Sequence, residues 1–289
     1  RKVIDSFPLK AVTYEEAMEL SHLGAKVIHP PTLLPALKSK IKIRIKNTFN
    51  PDYPGTVIIQ RDSGVRFNLK GISSIDDISL LTIKGGGMVG VTGVASRLFS
   101  ALASKEINII LITQGSSEHS ICLDILPKHT SAAKKAIELE FKNERRDGEI
   151  DEILIEDNLS IIAVVGEDLR QTPGITGKVF DALGSRNINV NAIAQGSSML
   201  NLSLVVSKND LNESLNVLHE SLFLKRKKVV NLFLIGPGLV GGALLDIIAE
   251  QLRYFKSNLN TEIKLIGLAN SKKMIINKNG ISIGEWKKS

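Results

Sequence analysis

Two glycine-rich turns and one repeated polar turn are the parts of this sequence best suited to chemistry. The spacing Gly-x-Gly-x-x-Gly occurs at Gly85, Gly87 and Gly90 and again at Gly236, Gly238 and Gly241. Between a strand and a helix, that spacing lets backbone amides close on a phosphate at the positive helix N-terminus. The run Gln114-Gly115-Ser116-Ser117 recurs unchanged as Gln195-Gly196-Ser197-Ser198. A polar turn kept in two places has no packing reason to be kept, which favours binding over a purely structural role. No nucleophile–base or carboxylate pair stands at catalytic spacing in either copy. The five histidines (His22, His29, His119, His129, His219) and the lone Cys122 lack zinc-type spacing, so no metal site is expected.

The elements that position these turns belong to a globular chain. Of 289 residues, 43% are hydrophobic and 23% charged, which excludes a disordered polymer. With 4% aromatics the core must rest on Ile, Leu, Val and Ala. No apolar run nears the ~20 residues that span a bilayer, so no membrane partner is expected. A single cysteine excludes a disulfide framework and suggests a reducing, cytosolic setting. The net charge of +7 is unevenly spread: residues 1–62 carry +4, 63–150 +1, 151–223 −6 and 224–289 +8. A nucleic-acid binder gathers its charge on one face, and charge at two ends around an acidic stretch suits small anionic substrates or cofactors better. The chain begins at Arg1 with no signal-peptide pattern and ends abruptly at Ser289, so a fragment of a longer protein is expected.

An internal duplication organises the middle. Set against one another at an offset of 81, Ser79–Leu123 and Ser160–Leu204 agree at 15 of 45 positions, among them Gly93/Gly174, Phe99/Phe180 and Asn108/Asn189. Each copy opens with a β-branched apolar run ending at a glycine (Ile78–Lys84; Leu159–Val165), which predicts a buried strand. Val94, Leu98, Ala101 and Leu102 then share a helical face, as do Ile175, Val179, Ala182 and Leu183. A strand to the Gln-Gly-Ser-Ser turn, another strand (Ser120–Leu126; Asn201–Val206) and a helix complete each copy. The closing helices are Ser131–Phe141 and a segment capped near Asn209. The order β-α-β-β-α is a ferredoxin-like unit lacking only its last strand. The seven charges of Lys142–Asp151 read as a solvated connector.

The duplication separates the two glycine turns. The copy of the first reads Gly166-Glu167-Asp168-Leu169-Arg170, without the middle glycines and with two acids, so the unit's shared role needs no phosphate cradle. The second turn follows the apolar strand Val229–Ile235 and precedes the helix Ala243–Leu252, with Glu262–Ala269 as a second strand: the first βαβ of a dinucleotide fold. At the end of that second strand, where an acid would select NAD, stand Asn270-Ser271-Lys272-Lys273, which favour the 2′-phosphate of NADP. The first sixty residues supply a helix from Thr13 to Gly24, with Thr13 and Glu16 as capping box and Gly24 as stop. They continue with a strand Ala25–His29, a helix Thr32–Lys38 and a strand Ile41–Lys46, the edge of an α/β domain.

These words resemble a known family. The Gly85–Gly93 loop and both Gln-Gly-Ser-Ser turns resemble the paired ACT domains of aspartokinases, which bind an end-product amino acid. Leu23-Gly24-Ala25-Lys26-Val27-Ile28-His29-Pro30 and Ile45-Lys46-Asn47-Thr48-Phe49-Asn50-Pro51 resemble the end of the aspartokinase catalytic domain. Leu234–Gly242 and Gly267–Lys272 resemble the start of homoserine dehydrogenase. The order points to the central fragment of the bifunctional aspartokinase/homoserine dehydrogenase family. Its fold class is mixed α/β and α+β, two βαββα ACT units between the tail of an amino-acid-kinase domain and the start of a Rossmann domain. The expected boundaries are 1–62 for the kinase tail, 63–77 for a linker strand, 78–150 and 151–224 for the ACT units, and 225–289 for the dehydrogenase start. Alternatives are a monofunctional aspartokinase, a methionine-pathway isoform indifferent to threonine, and a non-catalytic amino-acid sensor.

The resemblance implies aspartate phosphorylation with ATP and Mg, NADPH reduction of aspartate semialdehyde (NAD possible), and feedback inhibition with threonine favoured. It implies effector residues Ile112, Gln114, Ile193 and Gln195, with Met88, Gly93 and Gly174 in the loops facing them. Lys26 would lie near ATP, and Gly236, Gly238, Leu239, Val240, Gly241, Asn270, Ser271 and Lys272 would hold the dinucleotide. The family's catalytic residues lie outside this chain, so no catalytic residue is expected in it. The family often threads the strand before the first ACT unit, here Val65–Ile72, into the second. A homodimer or tetramer, in the cytosol or a plastid, completes the expectation.

Overall fold

In the computed structural model the described residues are all but 1, 4–5, 26, 61–68, 116–118, 170–171, 197–199, 225–227, 259–260 and 289. They fall into two units, Arg1–Phe223 and Leu224–Ser289.

The first unit opens with β1 (Ala11–Thr13), α1 (Tyr14–His22), α2 (Pro30–Lys38), β2 (Ile43–Ile45) and β3 (Thr56–Ile59). β1 runs parallel and β2 antiparallel to the central β3. Thr13 caps α1 as its spacing predicts: Glu16 N donates to Thr13 Oγ1 at 3.2 Å while Thr13 N donates to Glu16 Oε2 at 2.9 Å. The helix ends at Gly24 with φ 108°, where a Cβ would meet Ser74 O at 2.0 Å. Val12, Tyr14, Ala17, Leu33 and Ile58 form the core. The expected strand Ala25–His29 is not formed; its described residues are turn and coil. Ala25 N instead donates to Leu20 O and Val27 N to Ala25 O, which spends their amides locally. β1 and β3 take the strand positions there.

The duplicated region follows: β4 (Gly71–Lys84), α3 (Val94–Ala103), β5 (Leu111–Gln114), β6 (Ser120–Ile125), α4 (Thr130–Glu140), α5 (Lys142–Arg146), β7 (Glu152–Val165), α6 (Ile175–Gly184), β8 (Ala192–Ala194), β9 (Asn201–Ser207) and α7 (Leu211–Phe223). All six strands form one sheet in the order β5-β6-β4-β7-β9-β8. β4 and β7 lie antiparallel along their full 14 residues. Residues 71–75 of β4 pair with 165–161 of β7, and residues 80–84 pair with 156–152. Adding the repeat offset of 81 to one set generates the other. The early half of each long strand is therefore the fourth strand of the other copy, which the βαββα order lacked. Of the expected strand 65–72, residues 71–72 do pair with the second copy, and 65–68 lie outside the described residues.

Apolar side chains on the helical face make one core per copy, around Leu81, Leu98 and Leu123 in the first and Ile162, Val179 and Leu204 in the second. The other face carries a third cluster of Ile78, Leu80, Leu111, Leu159, Ile161 and Val205. Two local expectations need correction. The stretch 142–151 is not a plain solvated connector: it holds α5, and Phe141 and Ile150 at its edges are buried in the first core. Arg97 lies over the Phe141 ring at 4.7 Å and binds Glu140 at 2.8 Å and Glu144, fastening α3 to that segment. Ser207, and not Asn209, caps the turn of 3-10 helix Lys208–Asp210 that leads into α7, its hydroxyl accepting from Asn209 N.

In the second unit β10 (Lys228–Ile235), α8 (Leu239–Asn258) and β11 (Thr261–Ala269) make the expected βαβ, with β10 and β11 parallel. A further strand, β12 (Met274–Ile281), returns antiparallel to β11. Leu245, Leu265, Leu268, Ile281 and Ile283 form this unit's core.

Candidate functional site

The two glycine turns differ in how their backbone is used. In the first, the amides are already engaged: Gly85 N donates to His119 O at 3.1 Å and Gly87 N to Glu149 O at 2.9 Å. A Cβ on Gly85 would meet Glu149 O at 2.2 Å, and one on Gly87 would meet Glu149 Cβ at 2.3 Å. Gly85 and Gly87 let the loop pack on the 149–150 backbone. Met88 is buried in the first core. Gly93 and Gly174 stand at the N-termini of α3 and α6 with φ 91° and 86°, and a Cβ on either would have open space. Their role in the fold is the left-handed entry into each helix.

The second turn has the form of a dinucleotide site. Gly236 turns with φ 86° and donates to Ala269 O, locking the turn to β11. A Cβ on Gly241 would meet Gly236 O at 2.3 Å, so helix and turn need glycine there. A Cβ on Gly238 would have no atom within 4 Å, which leaves its backbone open to a pyrophosphate. Leu239 and Val240, in the first turn of α8, are 95% and 82% exposed. The residues present thus fit a dinucleotide. Asn270 Oδ1 accepts from both Lys272 N and Lys273 N at 2.8 Å. Asn270 therefore shapes the turn after β11, which carries the exposed Ser271 and Lys272.

The expected effector residues lie on the two edge strands of the sheet. Ile112 and Gln114 are on β5, paired with Leu123 and Ile121 of β6. Ile193 is on β8, paired with Leu204, and Gln195 follows it. Ile112 and Ile193 are about half exposed, at 47% and 45%, unusual for aliphatic strand residues. The edges lie near one another. Beside them is a cavity of about 580 Å³ lined by Ile75, residues 108–112, Ala194, Asn201 and Ser203, together with Glu19 and His22 of α1 and Leu23 just after it. Ile112 lines it; Gln114, Ile193 and Gln195 do not. Ser116, Ser117, Ser197 and Ser198 of the polar turns, and Lys26, lie outside the described residues.

Helix α1 is tied to the sheet beneath this cavity. Asn201 Nδ2 donates to Glu19, Ser73 Oγ to Leu20 O at 3.2 Å, and Glu167 N to Glu16 Oε1 at 3.3 Å. Glu16 is fully buried, and desolvation raises its carboxyl pKa against the lowering effect of the Thr13 amide. Sequence reasoning missed Glu19, His22, Asn201 and Ser203 because they come together only when α1 docks on the sheet. Asn108 alone carried a signal, its identity with Asn189 across the repeat. Among the described residues no group of three His, Cys, Asp or Glu could hold a metal, and no helix is long and apolar enough to cross a membrane.

Comparison with known proteins agrees with this anatomy. The sequence model of the ACT domain matches residues 81–141 and 162–222. The bifunctional aspartokinase/homoserine dehydrogenase of Haemophilus influenzae is 42% identical over 287 residues, covering 99% of this chain and 35% of that protein. Bifunctional aspartokinase/homoserine dehydrogenase 1, chloroplastic, of Arabidopsis thaliana is 39% identical over 99% of this chain and 32% of its own length. Among solved structures, Clostridium acetobutylicum aspartate kinase superposes with TM-score 0.69 at 29% identity, over 77% of this chain and 51% of that one. E. coli aspartokinase III in complex with lysine and aspartate superposes with TM-score 0.60 at 26% identity, over 74% of this chain and 46% of that one. The chain spans about a third of the length of the curated relatives it matches. The chain thus carries two ACT domains, and over 99% of its length it is similar to a stretch of bifunctional aspartokinase/homoserine dehydrogenases.

Proposed function

We propose that this chain is the amino-acid-sensing and linking stretch of an enzyme that phosphorylates L-aspartate with ATP and Mg and reduces aspartate semialdehyde to homoserine with NADPH. The observation that carries the sensing role is the shared cavity. It is lined by Ile112 of the first ACT unit, Ala194 of the second and Glu19 and His22 of the kinase-like segment. A molecule held there touches all three parts, so it can favour one arrangement of them over another. Such differential binding is what feedback control requires. The lysine bound by E. coli aspartokinase III supports an amino acid as the effector class. Threonine is the effector proposed, with Ile112, Gln114, Ile193 and Gln195 contacting it from the edge strands. Met88 serves by packing behind the Gly85–Gly93 loop.

In the second unit the dinucleotide supplies hydride to the dehydrogenase reaction when bound. Gly236 and Gly241 shape the turn, Gly238 lets the backbone near the pyrophosphate, and the first turn of α8 through Leu239 and Val240 offers its positive end. Lys272 and Ser271 face the ribose, and the basic end selects NADP. Lys26 is proposed to lie near ATP. A homodimer or tetramer in the cytosol or a plastid stroma completes the reading, the plastid suggested by the plant relatives.

Thermal unfolding of the chain against added amino acids tests the sensing role. Threonine is expected to raise the melting temperature with dose, and Gln114→Ala and Gln195→Ala to weaken that rise. No shift with threonine, lysine or methionine overturns it.

A further inference from the structure

Strand β6 alternates cleanly. Ile121, Leu123 and Ile125 enter the first helical core, so Cys122 and Asp124 face the other side of the sheet. There Cys122 packs against the cluster of Ile78, Leu80, Leu111, Leu159, Ile161 and Val205. Asp124 is 0% exposed, and neither of its carboxylate oxygens has a hydrogen-bond partner among the described residues. Its cross-strand neighbours are Leu80 on β4 and Leu111 on β5. A buried carboxyl without a partner is destabilising, far more so when ionised.

The duplication shows what this position ordinarily takes. Residue 81 places on is Val205, a buried member of the same cluster, between Ile161 and Ala192. The first copy has thus put an acid where its twin has an aliphatic side chain. The groups around it offer no compensation. On β4 the same face carries Leu80 and Thr82, and on β5 Leu111. On β6 it carries Cys122, whose sulfur is 3.4 Å from Thr82 Oγ1. Beyond Leu80, β7 presents the exposed Glu156, bonded to Asn191. Glu19 and His22 of α1 line the cavity next to Leu111. Burial alone pushes the Asp124 carboxyl up to about 7.

The position has a mechanical consequence. Asp124 is bonded through its backbone to the edge: its carbonyl accepts from Ile110 N at 2.8 Å. β5 is a four-residue edge strand, paired among the described residues with β6 alone, and it carries Ile112 and Gln114. A charge formed at Asp124 must reach water, and β5, paired with β6 at four residues where β4 pairs at six, is the neighbour that gives way more easily. We propose that Asp124 is a proton-operated latch on the edge strand of the first ACT unit: neutral, it lets β5 sit closed on β6, and ionised, it loosens β5 and with it the presentation of Ile112 and Gln114. The link to effector binding rests on the reading of those two residues given above; the latch itself does not.

The test is unfolding of the full chain from pH 4.5 to 8.5, comparing wild type with Asp124→Val, the residue of the other copy, and Asp124→Asn. The folded state holds the proton more tightly than the unfolded chain, so wild-type stability falls as pH rises from about 4 to about 7 and levels above. Relative to Asp124→Val, its folding equilibrium should fall by up to about tenfold per pH unit inside that window. Parallel profiles for wild type and Asp124→Val overturn the latch. If Asp124→Val does not fold, the Asp124 carboxyl signal in an aspartate-labelled NMR titration of wild type, identified by its loss in Asp124→Asn, decides: a midpoint above 6 supports the latch and one below 5 overturns it. Threonine-induced stabilisation should shrink from pH 5.5 to 8 in wild type and stay constant in Asp124→Val. Absence of any threonine effect at both pH values overturns the effector reading, and the proton profile is judged separately.

Discussion

Asp77 and Asn158 stand 81 residues apart, at the same point of β4 and β7, and both hold the left-handed backbone conformation, with φ 63° and 58°. Both lie where the β4–β7 pairing slips, Asp77 between Ile75 and Ile78 on β4 and Asn158 between Glu156 and Leu159 on β7. The two residues divide each long strand into a half that serves its own copy and a half that serves its twin. Short polar side chains tolerate this conformation where a β-branched one does not.

Asn158→Val should therefore destabilise the chain by about 1–2 kcal/mol, and Asn158→Gly should leave it near wild type. Urea unfolding of both variants measures the difference, and equal stability of Val and Gly would mean the kink is not conformationally selected.

Glu16 joins the cap of α1 to the sheet, because one carboxylate oxygen accepts from Thr13 N and the other from Glu167 N. Its folded pKa is raised, chiefly by burial, so the stability that depends on it is greatest in acid and is lost as pH rises through that value. Glu16→Gln should flatten this slope while keeping an acceptor for one amide. Glu16→Ala should lose about 1 kcal/mol or more. Thermal melts between pH 4 and 8 separate the two variants.

Gly24 carries φ 108°, and a Cβ built on it would lie 2.0 Å from Ser74 O. Gly24→Ala should lower stability by about 1–3 kcal/mol and raise protease sensitivity in residues 1–60 before the ACT units. A wild-type melting curve would show that α1 can re-dock.

The glycines of the second turn should respond in opposite ways. Gly241→Ala forces a Cβ against Gly236 O and should destabilise the second unit by about 1–3 kcal/mol. Gly238→Ala meets open space and should leave stability within about 0.5 kcal/mol of wild type. In the longer protein Gly238→Ala should still weaken dinucleotide binding, measured as a raised Kd for NADPH.

Much of this architecture was legible because duplication makes a sequence state each element twice. The shared apolar spacing located α3 and α6, and the Thr13/Glu16 pair located α1. What escaped was whatever depends on pairing between distant segments. β1 and β3 have three and four residues, too short to show a period, and they exist because they pair with each other. β12 is almost wholly exposed, so its alternation carries no burial signal. Ala25–His29 has the composition of a strand, yet the turn after Gly24 spends its amides locally. The residues expected to bind an effector came from the resemblance and lie on edge strands, whereas the cavity beside them needed α1, whose contribution no local pattern announces.

The exchange of half-strands between β4 and β7 makes the two ACT units inseparable as folding objects. A polypeptide ending near residue 148 would keep the early half of β4 with nothing to lie against, and would lack the strand that closes its own sheet. Two such polypeptides could satisfy each other, each lending its half-strand to its neighbour. The duplicated region then has the form of a homodimer written into one chain, with residues 142–151 as the seam. Such a seam lets the two halves diverge, and a buried acid in one copy where the other has a valine is a difference that a true homodimer could not have kept.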